Sequence, residues 1–468
     1  MGCTEKVVIV GAGISGLACA FRLKQLGYPC LVLEAQDRVG GVIASVRRNG
    51  FLFELGPQFP RFPKPLWHLV CELGLEREFL VGNPKAKRYI FHRDTLHPAV
   101  FSPGALLATR LVSIASKWRI LTEVFGSTEP PPQEESLADF VERKFGKDVA
   151  ENLVDPIVST VFFGDTRKMG MEDAFPALVE WERKHGSVAR GALRARKSKL
   201  ARSSSLKVTD ALPSLGSFQN GMGSLPEALL RNLPDAVKCK AQVVTLALAK
   251  GEVTGMDDAW QIILANGETR RACHLVLAVP AYEAARLLEI ASPELAQRLG
   301  AIEYAPTCVV STAYNGSQIT HPLDGFGFMV PRQENLHTIC TFWNSSLFPQ
   351  HAPKGKVLLT SFAGREFRDG AHHLEGESYE RSVIAENAKI LGISGAPLDR
   401  EIWRHPRALP QYNVGHARRV TEIDQLLSQL PNLHLAGNYR KGRSLGDCVA
   451  LADEIAARVQ TQMQRSNI

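Results

Sequence analysis

The order of hydrophobic and polar positions is most regular at the start of the chain. Residues 6–10 (KVVIV) form an apolar run of the length of a buried strand, and apolar residues then recur with helical spacing from Ile14 to about Leu26. A second apolar run, CLVLEA, occupies residues 30–35. The pattern therefore predicts a strand–helix–strand unit of the kind that builds parallel sheets.

A glycine-rich turn, GAGISG at Gly11–Gly16, joins the first strand to the helix. In such a unit the first glycine permits a tight turn, the second lets the backbone approach a pyrophosphate, and the third lets the helix pack closely on the strand. The helix N-terminus adds free N–H groups that favour an anion. Glu34 ends the second strand, where its carboxylate can accept hydrogen bonds from both ribose hydroxyls. The unit predicts a dinucleotide site, and the alternative is a glycine-rich turn that binds nothing.

The residues after Glu34 indicate which dinucleotide is bound. Arg38 and the pair Gly40–Gly41 in DRVGG can form a second anion-binding turn on the same pyrophosphate. Their spacing from Glu34 resembles the FAD-dependent amine oxidase and desaturase superfamily rather than the NAD dehydrogenases. The resemblance implies non-covalent FAD, and the alternative is an ordinary β-turn after the second strand.

The rest of the chain alternates between helical and strand-like segments. It is helix-rich from about 60 to 200, and strand-like runs dominate from 304 to 362. The pair Asn266–Gly267 predicts a hairpin. Near the C-terminus, a strand at Leu433–Ala436 and a helix from about Leu445 are expected to return the chain to the cofactor.

These elements predict an α/β plus α+β fold with three parts. The first is a discontinuous, Rossmann-like FAD-binding domain, the second a mixed-sheet substrate domain, and the third a helical domain. We expect the FAD-binding domain to comprise residues 1–80, 211–285 and 401–468. The helical, substrate- or membrane-facing region is expected at 81–210 and the substrate-binding sheet at 286–400.

Two basic segments of the helical region carry further predictions. Residues 101–125 interleave apolar side chains with Arg110, Lys117 and Arg119, which predicts one basic amphipathic helix. Such a helix either lies on an anionic membrane surface or packs on a neighbouring helix, and the pattern leaves both open. Residues 192–206 are basic and serine-rich, which predicts a solvated linker.

Composition narrows the class of protein. At 468 residues, with 45% hydrophobic and 22% charged residues, the chain is globular and long enough for two or three lobes. A net charge of +7 is mild for this length, and without a zinc-finger or RNA-binding motif it argues against nucleic acid as a partner. The nine cysteines lack paired spacing, which predicts a reducing compartment. Because the first strand begins by Lys6 and no apolar stretch reaches about 18 residues, we expect a cytoplasmic chain without a leader or a spanning helix.

Longer motifs resemble one family along nearly the whole chain. Besides the N-terminal motifs, four segments look like those of the protoporphyrinogen oxidase family, namely DPIVSTVFFGDTRKMGMEDAFPAL (155–178), GFGFMVP (325–331), LPQYNVGH (409–416) and LAGNYRKGRSLGDCV (435–449). The resemblance implies an FAD enzyme that oxidises protoporphyrinogen IX, a reduced tetrapyrrole, in three two-electron steps with O₂ as acceptor and H₂O₂ as product. Because the flavin carries the chemistry, no catalytic side chain and no metal ligand is expected.

The resemblance also assigns roles to matched positions. It implies FAD contacts at Gly11, Ala12, Gly13, Ile14, Ser15, Gly16, Glu34, Ala35, Arg38, Gly40, Gly41, Val42, Gly56, Pro57, Gln58, Phe59, Val243, Trp403, Arg443, Ser444 and Leu445. Arg88 is expected to pair with a substrate propionate. Phe326, Met329 and Phe342 are expected to hold the macrocycle.

Three features depart from the family pattern. Gln58 stands where the family often has Arg, and Thr160 where it often has Gly. The last loop is usually apolar, whereas here it carries Arg440, Lys441 and Arg443. These cations favour an anionic reduced flavin, or serve a substrate with more carboxylates, or point to solvent.

The reaction and the assembly leave alternatives open. Oxidation of coproporphyrinogen III to coproporphyrin III would need more cations, because that substrate has four propionates instead of two. This stays open because of the cations at Lys85, Lys87, Arg88 and Arg440–Arg443. A carotenoid desaturase, an amine oxidase and a flavoprotein without turnover are more distant alternatives. A homodimer and peripheral attachment to the cytoplasmic membrane face are also left open.

Overall fold

The computed structural model describes residues 5–83, 85–100, 103–126, 133–203, 215–249, 259–364 and 377–466. The strands are β1 (Glu5–Val10), β2 (Cys30–Leu33), β3 (Ser45–Arg48), β4 (Phe51–Glu54), β5 (Phe79–Val81), β6 (Lys87–His92), β7 (Thr95–Pro98), β8 (Gly216–Phe218), β9 (Val237–Lys238), β10 (Val243–Ala249), β11 (Ala259–Leu264), β12 (Thr269–Leu277), β13 (Tyr304–Asn315), β14 (Gly325–Met329), β15 (Thr338–Trp343), β16 (Lys356–Ala363), β17 (Asp399–Pro410) and β18 (Leu433–Leu435). The helices are α1 (Ile14–Gln25), α2 (Lys64–Glu72), α3 (Pro103–Ala108), α4 (Ile114–Thr122), α5 (Leu137–Phe145), α6 (Lys147–Val149), α7 (Asp155–Phe162), α8 (Met171–Ala174), α9 (Pro176–His185), α10 (Val188–Ser203), α11 (Ser224–Arg231), α12 (Ala281–Leu288), α13 (Pro293–Gly300), α14 (Asn344–Leu347), α15 (Glu377–Leu391), α16 (His416–Leu427) and α17 (Leu445–Ser466).

The first sheet has seven strands in the order β10-β11-β12-β1-β2-β9, with β18 beside β12. The strands β12, β1, β2 and β9 run parallel to one another, and β18 runs parallel to β12. This is the arrangement of a Rossmann-like nucleotide-binding sheet. The predicted hairpin at Asn266–Gly267 joins the antiparallel strands β11 and β12 and is confirmed.

Both faces of this sheet are buried, which explains the apolar runs. Val7 and Ile9 of β1 belong to the core that α1, α2, α11 and α17 cover. Val8 and Val10 belong to the core on the other face, under α12, α13 and α16. Because side chains alternate between faces, a strand covered on both sides is apolar at every position.

The second sheet is mixed and has the order β17-β13-β16-β15-β14-β6-β7. β14 pairs in parallel with β6, so that Gly327 lies opposite Arg88. β13 pairs antiparallel with β16 on one side and β17 on the other. Residues 87–98 therefore join strands from residues 304–410, although the predicted domain division separates these segments. That division stays a prediction.

The helical region differs from its two predictions. Within the described residues the single helix expected over 101–125 is wrong, because α3 and α4 are separated at Thr109–Ser113 and a 3-10 turn follows at Glu123–Phe125. The separating turn buries Leu111 and Val112. The linker expected over 192–206 is also wrong in its described part, since α10 continues to Ser203. Within the described ranges, every helix is too short or too polar to cross a bilayer.

Candidate functional site

A cavity of about 2030 Å³ has one wall from each of the two sheets. Its lining includes Val10 and Leu33 at the carboxyl ends of β1 and β2 and, on the other side, Val309 and Phe362 of the mixed sheet. Ligands of parallel α/β sheets bind outside the carboxyl ends of the strands. The cavity therefore lies where the strand–helix–strand unit would present a nucleotide.

Glu34 organises the first glycine turn. Its Oε2 accepts a hydrogen bond of 2.7 Å from the Ala12 N–H, and its Oε1 accepts one of 2.9 Å from the Gln36 N–H. A carboxylate has about four acceptor positions. The two remaining positions suit hydroxyl donors from the cavity.

The two glycine turns contact each other at the cavity wall. Gly13 and Gly40 form a parallel bridge, and the Gly40 N–H donates to the Ala12 carbonyl at 2.8 Å. Arg38 Nη2 donates to the Gly41 carbonyl at 2.8 Å and so holds the second turn. At Gly13 a Cβ would have no heavy atom within 4 Å. The turns form an open cradle lined by backbone, which is typical of an anion site.

Most of the predicted cofactor residues line this cavity: Gly11, Gly13, Ile14, Ser15, Glu34, Ala35, Arg38, Gly40, Gly41, Val42, Gly56, Pro57, Gln58, Phe59, Val243, Trp403, Arg443, Ser444 and Leu445. Ala12 and Gly16 lie behind the wall. Ala12 is fully buried and its N–H is held by Glu34. Gly16 packs the helix on the turn, since a Cβ there would lie 2.0 Å from the Gly11 carbonyl oxygen.

Gln58, one of the departures from the family pattern, fixes the cavity wall beside Gly56 through three hydrogen bonds. Its Nε2 donates to the carbonyls of Glu54 and Gly56 at 3.2 and 3.0 Å. Its Oε1 accepts a hydrogen bond of 2.9 Å from Nδ2 of Asn344, the first residue of α14, which directly follows β15. This buried amide therefore ties the loop after β4, which pairs with β3 in a separate two-stranded sheet, to the segment that follows β15 of the second sheet.

The predicted substrate residues Arg88, Phe326, Met329 and Phe342 all line the same cavity. The rings of Phe326 and Phe342 meet edge to face at 5.3 Å, and Phe59 packs on them at 5.6 and 5.3 Å. The Arg88 guanidinium lies 4.7 Å over the Phe326 ring. The result is an apolar compartment lined by aromatic rings, with a cation at its edge.

A second cation at this compartment was missed by the sequence reasoning. Arg61 lines the cavity together with Arg88. The pKa of the Arg88 guanidinium is lowered, mainly by burial and secondly by the positive charge of Arg61. Two guanidiniums beside an apolar cavity suit carboxylates, which they bind in a bidentate way. Arg61 belongs to no motif, so no local signal could have found it.

A stack from three separate segments closes the cavity near α17. The Arg443 Cζ lies 3.5 Å from the centroid of the Phe162 ring and 4.1 Å from that of Tyr412. His416 stacks on Tyr412 at 4.0 Å, and its Nε2 lies 3.0 Å from the Tyr439 carbonyl oxygen. Burial lowers the pKa of His416 to about 4, so the ring is neutral and donates to that carbonyl.

The other two cations of the last loop pair elsewhere. Arg440 forms an ion pair with Asp424, and Lys441 forms one of 2.8 Å with Glu454. Neither Arg440 nor Lys441 lines the cavity, whereas Arg443 does.

The profile of the family described as flavin containing amine oxidoreductase matches residues 14–460. The chain belongs to this family. It is therefore an FAD-dependent oxidoreductase, as the two glycine turns and Glu34 predict.

Individual relatives match along nearly the whole chain. Protoporphyrinogen oxidase 1, chloroplastic, of Arabidopsis thaliana is 33% identical over 99% of this chain and 89% of its own length. Coproporphyrinogen III oxidase of Bacillus subtilis (strain 168) is 28% identical over 95% of this chain and 96% of its own. A crystal structure from Exiguobacterium sp. 255-15, assigned provisionally as a protoporphyrinogen oxidase, has a TM-score of 0.82 at 25% identity and covers 99% of this chain and 100% of its own.

The residues around the cavity fit FAD in three respects. The space at Gly13 leaves the backbone open to a pyrophosphate. Glu34 keeps acceptor positions for a ribose. The loop before α17 forms one wall of the cavity and contains Arg443. Among the described residues, none accepts a hydrogen bond from the buried Nη1 of Arg443, which is therefore left for a bound group.

Proposed function

We propose that the protein oxidises protoporphyrinogen IX to protoporphyrin IX with three molecules of O₂, removing six electrons in three two-electron cycles and releasing three molecules of H₂O₂. The observation that carries the proposal is that one cavity combines the nucleotide turns, a wall of phenylalanine rings and two guanidiniums. An apolar macrocycle that carries two carboxylates matches such a compartment. The relatives named as protoporphyrinogen oxidases support the same substrate.

In this proposal the chain supplies position and charge. FAD, when bound, supplies an acceptor for hydride from an activated C–H bond. Phe59, Phe326 and Phe342 exclude water and hold the macrocycle against the cavity wall. Arg88, with Arg61 beside it, neutralises a propionate that would otherwise be costly to bring into an apolar space.

Two histidines near the cavity are hydrogen-bonded within the fold and are not proposed as proton relays. His405 Nε2 lies 2.8 Å from the Leu55 carbonyl oxygen, and burial lowers the pKa of this ring. His416 is held in the same way by Tyr439. Proton loss from the substrate is therefore assigned to solvent rather than to either ring.

Oxidation of coproporphyrinogen III to coproporphyrin III is the second candidate. Arg61 and Arg88 do not separate it from protoporphyrinogen IX, because the pair can meet both propionates of that substrate or two of the four propionates of coproporphyrinogen III. The relative from Bacillus subtilis carries that name at 28% identity.

Anaerobic mixing of the FAD-loaded protein with each porphyrinogen separates these candidates. We expect protoporphyrinogen IX to reduce the flavin faster than coproporphyrinogen III at equal concentration, as measured by loss of the oxidised flavin's absorbance. The reverse order would establish the coproporphyrinogen activity. Flavin that neither compound reduces would refute both, while leaving FAD binding intact.

We also propose that α4 docks the protein on an anionic membrane surface. Its outward side chains Ile114, Trp118 and Leu121 recur with helical spacing and are 75%, 64% and 46% exposed, and Phe125 continues the stripe at 85%. The opposite side of α4 faces the interior through Ser116 and Ile120. An exposed apolar stripe flanked by Lys and Arg is typical of an interfacial helix.

The predicted cytoplasmic location and homodimer stay predictions.

Flotation with anionic vesicles tests this docking. We expect the protein to float at low salt and to float less as salt screens its cations, because the Debye length falls to about 8 Å at physiological ionic strength. Trp118→Ser combined with Phe125→Ser should abolish flotation. Ile290→Ser is the matched control, since Ile290 is 71% exposed but lies outside the stripe. Protein that stays at the bottom of the gradient at low salt would refute the docking.

A further inference from the structure

Arg443 is a cation held in the cavity wall by aromatic rings rather than by an acid. Phe162 and Tyr412 contact its guanidinium at 3.5 and 4.1 Å. Rings at these distances stabilise a cation through their quadrupoles and leave its N–H groups available for other partners. The packing therefore fixes the position of the charge without neutralising it.

The two carboxylates whose charges act on the Arg443 guanidinium, Asp173 and Asp447, already have other donors. Asp447 accepts hydrogen bonds from the Ser444 N–H and O–H at 3.0 and 2.7 Å. Asp173 accepts from the N–H groups of His416 and Ala417. Among the described residues neither of these acids accepts from Arg443 Nη1, which is buried without a hydrogen-bond partner.

A buried, charged N–H without an acceptor is destabilising, so an acceptor is expected where the site is complete. Burial lowers the pKa of the Arg443 guanidinium to about 10, so the group remains positive at neutral pH. Arg443 also directly precedes Ser444 and Leu445, which line the cavity at the start of α17. The acceptor that completes this site is thus expected inside the cavity, on the cofactor.

We propose that Arg443 is a charge-stabilising residue of the flavin site, whose Nη1 donates to the flavin ring and favours the anionic reduced form. Two-electron reduction with uptake of one proton leaves one negative charge on the ring, and a fixed cation stabilises that charge. The proposal rests on FAD as the cofactor and is independent of which porphyrinogen is the substrate.

The two-electron potential of bound FAD, measured by dye equilibration at several pH values, tests the proposal without turnover. Arg443→Met removes the charge and keeps an unbranched chain between the rings. We expect the anionic reduced form to lose at least tenfold in stability, which lowers the two-electron potential by about 30 mV at a pH where both proteins hold that form. With rising pH, the potential changes from a two-proton to a one-proton dependence at the pKa of the reduced flavin. In Arg443→Met this pKa should rise by about one unit. Arg443→Lys should restore most of both values.

Lys441→Met is the matched control, because it removes a cation of the same loop that pairs with Glu454 and does not line the cavity. Its potential should equal that of the unaltered protein. An unchanged potential and pH dependence in Arg443→Met, with FAD still bound, would overturn the proposal. Equal shifts in Lys441→Met would overturn it as well. Loss of FAD from both Arg443 variants, with normal folding, would make Arg443 an affinity residue and would also contradict the proposal.

Discussion

Gly13 and Gly16 stand three residues apart in the same motif, yet alanine should affect them in opposite ways. At Gly13 the backbone φ is −71°, which any residue adopts, and a Cβ would have no heavy atom within 4 Å. At Gly16 a Cβ would lie 2.0 Å from the Gly11 carbonyl oxygen and 3.2 Å from the Ala278 Cβ. We predict that Gly13→Ala folds normally but binds FAD weakly, whereas Gly16→Ala loses stability.

The structure sets the size of each effect. Replacing glycine by alanine at compatible dihedrals stabilises a protein by about 0.4–1 kcal/mol, so apo Gly13→Ala should be at least as stable as the unaltered apo-protein. Its methyl group would occupy the space beside the cradle. Loss of one charged hydrogen bond costs about 1.5–3 kcal/mol, which corresponds to roughly a 10- to 150-fold higher Kd for FAD. At Gly16 the backbone must move to relieve the overlap, at a cost of about 1–3 kcal/mol or more.

Denaturant unfolding of the apo-proteins and FAD titration by calorimetry measure the two quantities separately. Gly104→Ala in α3 is the matched control, because a Cβ there also has no heavy atom within 4 Å and Gly104 does not line the cavity. It should leave the FAD affinity unchanged and, like Gly13→Ala, raise the stability of the apo-protein by about 0.4–1 kcal/mol. Gly13→Ala protein that binds FAD with normal affinity would refute the placement of the pyrophosphate, and unchanged stability of Gly16→Ala would refute the packing argument.

Three further predictions concern a substrate contact, a cofactor contact and stability. Arg88→Ala should raise KM in steady-state assays by an amount equivalent to about 1.5–3 kcal/mol for a lost charged hydrogen bond, with FAD affinity unchanged; an unchanged KM would remove Arg88 from the substrate site. Glu34→Ala should retain less FAD through gel filtration than Glu34→Gln, because only the amide keeps an acceptor for Ala12 or Gln36; equal retention would contradict this role. Burial lowers the pKa of both His274 and His434 to about 4. The unfolded chain therefore binds more protons than the folded protein between about pH 6.5 and 4. As the pH is lowered through this range, the free energy of unfolding should decrease by at most about 1.4 kcal/mol per pH unit for each ring. His434→Phe should make that dependence shallower in denaturant titrations, and an equal slope would contradict the assignment.

The nucleotide unit could be predicted from the sequence because its signals are local. The apolar run of β1, the glycines after it and Glu34 at the end of β2 all lie within residues 5–34. Each fixes a turn or a packing distance through its own chemistry, as the Cβ overlap at Gly16 shows. Such a unit needs no knowledge of the rest of the chain.

The helical region shows where periodicity fails. The apolar positions of residues 101–125 continue at helical spacing, but Ser113 ends the turn between α3 and α4 by capping α4. The Ser113 N–H is in turn held by Asp148, which lies 35 residues further along the chain. Ser113 is itself a favoured N-cap residue and so a local signal, which the apolar periodicity outweighed; only the support from Asp148 is absent from the local pattern.

The cation pair and the ring stack depend on tertiary packing in the same way. Arg61 and Arg88 line one cavity only because β6 joins the second sheet beside β14. Phe162, Tyr412 and Arg443 come from three segments that no spacing rule connects. The sequence identifies Arg443 only as one of three cations in the last loop. The structure distinguishes it, because Arg440 and Lys441 form ion pairs with Asp424 and Glu454.

The segment LPQYNVGH (409–416) shows how these distant parts are held together. Gln411 Nε2 donates to the Phe162 carbonyl at 3.1 Å, which fixes the end of α7. The Tyr412 O–H donates to the Asn438 carbonyl at 2.7 Å, in the loop that leads to α17. Both rings that contact the Arg443 guanidinium are therefore positioned from this one segment at the end of β17. A substitution here that leaves the first sheet intact should consequently change the flavin's potential before it changes FAD affinity, since the nucleotide turns and Glu34 belong to a separate, locally determined unit.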